Sequence, residues 1–193
     1  MAGKVSRPDR ALAATAAALA ACTAIVAGAL LEGYSHLWHP LALPGAIGVP
    51  RAGGYNLLLF GLPGLLLAVL AWRLRARLPG TGLAPRLGAA MLLCSALAWA
   101  AQGALPLDPA DLDAAASRLH ASAWMLWWIS FVAGATLVAG GVRALRAATV
   151  AAWLLVPGLA VLAPELLGAG ASQRLAFAAW FGWMWRAAGP LHP

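Results

Sequence analysis

Long apolar runs alternate with short polar segments along almost the whole of the 193-residue chain. Each run is close to the ~20 residues that a helix needs to cross roughly 30 Å of hydrocarbon. The runs predict transmembrane helices at residues 11–31, 54–73, 87–105, 119–142, 149–167 and 172–188. We therefore predict an all-α protein, a six-transmembrane-helix bundle that forms a single domain.

The first apolar run follows a polar, basic segment, residues 1–10, as the core of a secretory signal peptide does. However, the run is longer than the 7–15 residues of such a core, and further apolar runs follow it. We therefore expect it to be retained as the first helix. Small residues recur on one side of this helix, which favours close packing against another membrane helix. They are Ala17, Ala20, Ala24 and Gly28.

Two features interrupt the regular pattern of the second span. A polar loop, Glu32–Arg51, precedes it and is rich in proline and glycine. Within the span, the sequence Gly61-Leu62-Pro63-Gly64 predicts a kink or a loosened hydrogen-bond ladder, which a helix bundle tolerates.

The composition agrees with a surface that faces lipid. The chain is 63% hydrophobic and only 10% charged, whereas a soluble domain carries about a quarter of charged residues. Cys22 and Cys94 each lie inside an apolar run, so we interpret them as small buried hydrophobes rather than as a disulfide or redox pair.

The basic residues predict an orientation. With a cytoplasmic N-terminus, ten of the thirteen Lys and Arg lie on the cytoplasmic side, and Arg51, Arg118 and Arg174 lie outside. This is a strong positive-inside bias, so we predict that both termini are cytoplasmic and that the protein lies in the inner membrane. The same bias accounts for the net charge of +7, which therefore indicates a lipid bilayer partner and no nucleic acid.

In this orientation most ionisable side chains other than Lys and Arg lie at the extracytoplasmic boundary. They are Glu32, Asp108, Asp111, Asp113, Glu165, His36, His39 and His120. A chemical site, if there is one, is therefore expected at this boundary. It would combine the loop Glu32–Arg51 with residues 108–120, and with Glu165 beside Arg174.

Asp108 and His120, helped by Glu32, form the candidate catalytic group. His120 lies in the first turn of a predicted membrane helix, where an ionisable side chain needs a polar partner, and Asp108 or Glu32 is the expected partner. Such a pair can act as general acid and base. The alternative is purely structural, because acidic loops are ordinary solvated surface, Asp before Pro is a turn residue, and Ser117 is placed to cap the fourth helix.

A metal site is a second hypothesis for the same boundary. His36 and His39 offer two imidazoles, and Asp108 and His120 would complete a set of ligands suited to zinc. No segment carries a diagnostic ligand motif, so the sequence requires no cofactor and leaves zinc as one alternative.

The ten tryptophans admit two interpretations. Those near helix ends (Trp72, Trp99, Trp124, Trp153, Trp183 and Trp185) are typical of an interfacial belt. Alternatively, Trp99 and Trp124 join the deeper Trp127 and Trp128 to line an apolar pocket for a lipid or isoprenoid tail. Tyr34 and Arg174 would then contact the same substrate from the outer side.

Three motifs resemble a known family. EGYSHLWHPLALPGAIGVPRAGGYN resembles its first loop, GALPLDP with SRLHASA resembles a pairing that maps onto Pro106, Asp108 and His120, and GASQRLAFAAW resembles its last helix, mapping onto Gln173 and Arg174. The family is a bacterial six-helix membrane family catalogued as domain of unknown function nine-nine-eight. The resemblance implies six helices and an Asp/His pair at the outer face. The family's first-loop carboxylate has no counterpart here, and Glu32 or His39 would take its place.

These observations leave two function classes open. One is a small membrane enzyme that acts on a lipid-like or isoprenoid substrate at the outer leaflet. The other is a non-catalytic membrane subunit or assembly factor that packs against a partner in a larger membrane complex. A proton-coupled permease is disfavoured, because no acid, His or Lys lies at the middle of any predicted span.

Overall fold

The computed structural model describes residues 7–78 and 82–191, and their regular secondary structure is helical with no β-strand among them. These residues contain six long helices, labelled α1 to α6. Their bounds are α1 Arg7–Leu30, α2 Ala52–Ala76, α3 Leu83–Ala104, α4 Ala115–Gly141, α5 Arg146–Pro157 with a π-helical continuation Gly158–Leu162, and α6 Ala169–Ala187. A short helix, Pro164–Leu167, lies between α5 and α6.

The predicted all-α fold is confirmed, and five of the helices are long and apolar enough to cross a membrane. These five are α1 to α4 and the stretch Arg143–Leu162. The sixth predicted span forms a helix, α6, that is not among them. Its polar positions Gln173, Arg174 and Arg186, together with its tryptophans, lower its hydropathy.

The helices pack in chain order around a ring. Each long helix contacts the next one along the chain, and α6 contacts α1. Successive helices therefore run in alternating directions, so that the start of α1 and the end of α6 meet at one end. We call this the arginine end. The opposite end, which holds residues 31–51, 105–114 and 163–168, is the loop end.

Glycine allows α3 and α4 to cross closely. A Cβ on Gly88 of α3 would lie 2.7 Å from the Gly134 carbonyl oxygen of α4, and a Cβ on Gly134 would lie 2.8 Å from the Gly88 carbonyl oxygen. The two backbones are thus in direct contact, as small residues permit between membrane helices. The small residues predicted to pack closely on α1 have a different role, described below.

Aromatic side chains fill the centre of the ring. Trp99 of α3 lies 4.4 Å from Phe177 and 4.9 Å from Trp180 of α6, and 5.8 Å from Trp127 of α4, between ring centroids. The belt interpretation is therefore wrong for Trp99, and also for Trp183, because their exposed fractions are 1% and 2%. It remains compatible with the exposed residues Trp72, Trp153 and Trp185.

The irregularity predicted around Pro63 is confirmed. Residues Leu57–Gly61 form a π-helical turn immediately before it. In a regular α-helix the Leu59 carbonyl would accept the N–H of residue 63, which proline lacks. The indole Nε1–H of Trp99 donates to that carbonyl instead, at 3.1 Å. A backbone irregularity in α2 thereby orients a side chain of the aromatic centre.

Cys22 is exposed rather than buried, and Cys94 is half-buried. The burial predicted for Cys22 is therefore wrong. Its neighbours Ile25, Val26 and Leu30 are exposed too, because this face of α1 points away from the bundle. Residues that face lipid are as apolar as residues that face the core, so hydropathy does not separate the two.

The arginine end is held together by a buried carboxylate. Asp9 of α1 is only 1% exposed and accepts hydrogen bonds from Arg73 at 2.6 Å and from Arg77 at 3.2 Å. Arg77 also donates to the carbonyl oxygens of Ala188 and Gly189. The ends of α1, α2 and α6 are therefore joined through one arginine.

Candidate functional site

A groove of about 720 Å³ runs between α1 and α6. Its α1 wall is made of small residues, and its other walls come from α6, the loop Glu32–Arg51, α2 and α3. The lining includes Ala13, Ala17, Ala20 and Ala24 on α1, Phe177, Phe181 and Trp185 on α6, and Leu41, Leu59 and Trp99 on the other segments. Of the small α1 residues predicted to seat another helix, Ala17, Ala20 and Ala24 thus line a space, because alanine side chains do not fill the gap to α6, whereas Gly28 packs against the His36 imidazole.

The groove is long, and part of its lining is exposed. Lining residues on α1 extend from Ala13 to Ile25, which at 1.5 Å per residue is about 18 Å. Ala14 and Ala21 of α1 and Ala178 and Gly182 of α6 line it and are exposed. The groove is therefore accessible along the seam between the two helices, and not only from its ends.

A polar cluster stands at the loop end of this apolar groove, centred on Arg174. Its guanidinium donates to the Tyr34 hydroxyl at 2.7 Å, to the His36 Nδ1 at 3.0 Å and to the Gly170 carbonyl at 2.8 Å. It also lies 5.8 Å from the centre of the Tyr34 ring. Both His36 and Arg174 line the groove.

The hydrogen bonds determine which ring nitrogens carry protons. An arginine can only donate, so the Nδ1 of His36 accepts and its Nε2 carries the proton. The Nδ1 of His39 likewise accepts the backbone N–H of Ser35 at 2.9 Å. The His39 carbonyl, at 3.3 Å, is a fourth acceptor for Arg174, so its terminal N–H groups are all directed at the protein. At the head of the groove a ligand that accepts hydrogen bonds would therefore meet the positive charge of Arg174 and the Nε2–H of His36.

The positive charge of Arg174 is not neutralised within the described part of the chain. The salt bridges among those residues both involve Asp9 at the opposite end, and Glu165 is exposed without reaching Arg174. Burial raises the pKa of the Tyr34 phenol above its ordinary value of 10.0, although Arg174 opposes this shift. At neutral pH the Arg174 cation therefore lies beside a Tyr34 phenol that keeps its proton.

Glycines let the loop Glu32–Arg51 approach this site. A Cβ on Gly28 would collide with the imidazole of His36, and a Cβ on Gly170 would lie 2.6 Å from the His36 carbonyl oxygen. The loop is also held by two hydrogen bonds, from the Leu41 N–H to Gln173 Oε1 and from the Ala171 N–H to the Leu37 carbonyl. The loop and the start of α6 consequently form one packed unit.

The structure gives Asp108 and His120 separate partners. His120 Nδ1 lies 2.8 Å from the Leu105 carbonyl oxygen, so the expected pairing with Asp108 or Glu32 is replaced by a bond to the end of α3. The Asp108 carboxylate accepts the Ala110 N–H within its own turn. No hydrogen bond links Asp108 to His120 in residues 7–78 and 82–191, and catalysis by this pair stays a prediction.

The remaining predicted polar residues have local roles. Ser117 is not the helix cap, since α4 begins at Ala115; its hydroxyl donates to the Asp111 carbonyl and receives the Asp108 N–H, which fixes the turn. Glu32 is exposed. Among the described residues no group of three or more His, Cys, Asp or Glu side chains is placed to hold a metal. The Nδ1 atoms of His36 and His39 already accept hydrogen bonds from Arg174 and Ser35.

The four tryptophans predicted to line a substrate pocket differ in placement. Trp99 lines the groove, whereas Trp127 lies behind it and is fully buried. Trp124 and Trp128 are half-buried and pack against the aromatic core. The predicted ligand contacts Tyr34 and Arg174 do stand together at the groove head. The alanine wall of α1 was missed as a binding surface, although its spacing was visible in the sequence.

Compared with models of known protein families, with curated proteins and with solved structures, the chain has no match. The resemblance to the six-helix family stays a prediction. Inference about function therefore depends on the groove and its polar head.

Proposed function

We propose that this protein is a multi-pass protein of the bacterial inner membrane that binds a lipid-like amphiphile in the groove between α1 and α6. The head group is anionic and contacts Arg174 and His36, and the tail lies along the alanine wall. The observation that supports this most directly is an unneutralised arginine at the head of a long apolar groove. Such a site matches an amphiphile at both ends, with charge opposite charge and hydrocarbon against apolar walls.

The size and the charge of the groove suit a small amphiphile. A volume of about 720 Å³ lies within the ~300–1,000 Å³ typical of small-molecule sites. An anionic head group would match the positive charge of Arg174, whereas an apolar helix of a partner protein would leave that charge without a counter-ion among the described residues. The subunit alternative therefore has less support than the lipid-binding one.

The proposed orientation places the loop end outside the cell. The ten basic residues assigned to the cytoplasmic side include Arg73, Arg77, Arg143 and Arg186, all at the arginine end. Counting α6 as a sixth span then gives two cytoplasmic termini. The ligand head group would sit at the extracytoplasmic boundary, and its tail would extend along about 18 Å of helix, slightly more than half of the ~30 Å hydrocarbon thickness.

Binding is tested by the amphiphile that purifies with the protein. We would isolate the wild type and variants in mild detergent and identify bound lipid by mass spectrometry of organic extracts. Ala21→Phe should obstruct the groove, since Ala21 lines it and is exposed. Ala18→Phe is the matched control, because Ala18 is exposed on the same helix and is not part of the lining.

We expect the wild type and Ala18→Phe to retain an anionic amphiphile. Ala21→Phe and Arg174→Gln should retain roughly one tenth of that amount or less. A hydrogen bond to a charged group is worth about 1.5–3 kcal/mol, which sets this scale for Arg174. Equal lipid content in all four proteins, or no bound amphiphile in the wild type, would exclude the groove as a binding site.

A further inference from the structure

A second cluster of arginines, at the arginine end between α2 and α3, is distinct from the groove. Arg75 of α2 and Arg86 of α3 line a pocket of about 270 Å³ together with Trp72 and Ala76. Both arginines are exposed. The Arg75 guanidinium lies 5.9 Å from the centre of the Trp72 ring, which orients it towards the pocket.

Four other arginines at this end have structural partners. Arg73 and Arg77 are paired with Asp9, and Arg146 and Arg186 donate to backbone carbonyls. By contrast, neither Arg75 nor Arg86 has a salt bridge or a side-chain hydrogen bond to any residue that the structure describes. Two like charges from neighbouring helices thus line one pocket, an arrangement that an anion would stabilise.

An apolar path leads along α2 to this pocket. Exposed large side chains recur every three or four residues along one face and end at Trp72, one turn before Arg75. They are Leu58, Leu62, Leu65, Val69 and Trp72. A lipid tail can lie on this stripe while its head group reaches the two guanidiniums, because Arg75 continues the stripe on the same face of α2 and Arg86 of α3 lines the same pocket.

We propose that Arg75 and Arg86 form a phosphate-binding site whose ligand is the head group of an anionic phospholipid. The pocket of about 270 Å³ is large enough for a phosphate group and smaller than most whole-ligand sites. Arginine matches phosphate geometry through paired N–H donors. Free phosphate has the same chemistry, so the test separates the two sources.

The experiment is native mass spectrometry of the full chain in detergent, titrated with phosphatidylglycerol, with phosphatidylcholine, or with inorganic phosphate. Every protein carries Ala21→Phe, which obstructs the α1–α6 groove, and Ala21→Phe alone is the reference. The test variant is Arg75→Gln/Arg86→Gln. The control is Arg7→Gln/Arg143→Gln, which removes two exposed charges from the same end. Thermal unfolding verifies that each protein is folded. Arg86→Lys keeps the positive charge without the guanidinium, so it measures how much of the lipid binding depends on charge alone.

We expect the test variant to bind its first phosphatidylglycerol at least about tenfold more weakly than the reference, since one hydrogen bond between an arginine and a phosphate contributes about tenfold or more. The control should match the reference, and phosphatidylcholine should bind more weakly to all. Inorganic phosphate that binds the reference and displaces the lipid would identify free phosphate as the ligand of the same site. Equal loss of lipid in the control, or none in the test variant, would overturn the proposal. Neither result bears on the α1–α6 groove.

Discussion

His120 is an ionisable residue with a structural task. It lies in the second turn of α4, half-buried, and its ring lies near Phe60. Because a carbonyl only accepts, Nδ1 donates to Leu105 and satisfies a carbonyl left free where α3 ends. A histidine in a membrane helix needs a polar partner, and here the partner is backbone rather than a carboxylate.

Replacement of His120 by leucine is therefore expected to destabilise the fold. The Leu105 carbonyl would lose its partner, at a cost of about 1–3 kcal/mol in the free energy of unfolding. Asp108→Ala removes only a bond within an exposed turn and should cost about 1 kcal/mol or less. Chemical denaturation in detergent measures both. A larger effect for Asp108→Ala than for His120→Leu would contradict these assignments.

Tyr34 predicts a dependence on alkaline pH. Its pKa is raised by burial, so the folded protein holds the phenol proton more tightly than the unfolded chain does. The resulting stabilisation is complete below about pH 10 and is lost as the pH rises through the folded-state pKa. The wild type should exceed Tyr34→Phe in melting temperature at pH 8, and this difference should shrink above pH 10. A constant difference from pH 8 to 11 would show that burial of the phenol has no such effect.

At the scale of elements, α2 and α3 share a hydrogen bond that neither helix could form alone. Pro63 frees the Leu59 carbonyl, and Trp99 takes it. The proline was visible in the sequence, and so was the expected loosening of the helix. The hydrogen-bond partner was not visible, because Trp99 lies 40 positions after Leu59 and hydropathy carries no information about such pairs.

A double-mutant cycle tests this coupling. Trp99→Phe should cost more stability in the wild type than in a Pro63→Ala background, because the substituted residue supplies a backbone N–H to the Leu59 carbonyl. The difference should be about 1 kcal/mol or more. Denaturation midpoints of the four proteins in the same detergent measure it. Equal costs in both backgrounds would mean that Leu59 and Trp99 are not coupled through Pro63.

At the scale of the whole molecule, one arginine joins the α1 and α6 sides of the ring at each end. Arg77 links Asp9 to the end of α6, and Arg174 links the loop after α1 to the start of α6. Between these two junctions the helices are separated by the groove. A ring that is fixed at its ends and open along one seam suits a ligand that enters from the side.

The proposed orientation is tested by cysteine labelling in a background with Cys22→Ala and Cys94→Ala. A maleimide that does not cross membranes should label Asp111→Cys, at the loop end, in intact cells. It should label Arg143→Cys, at the arginine end, only after the membrane is opened. The reverse pattern would place the loop end in the cytoplasm, while the groove and its head group contacts would be unaffected.

The sequence by itself determined the helical fold and the approximate position of each helix, because hydropathy and helix-breaking residues act over a few neighbouring positions. It also pointed to Tyr34 and Arg174, which the structure brings together at the head of the groove. The tertiary structure decided which apolar residues face inwards, why Trp99 is central and Cys22 peripheral, and that the small residues of α1 border a groove. Lipid-facing, core and groove-lining positions have the same hydropathy, so only the packing of distant helices distinguishes them.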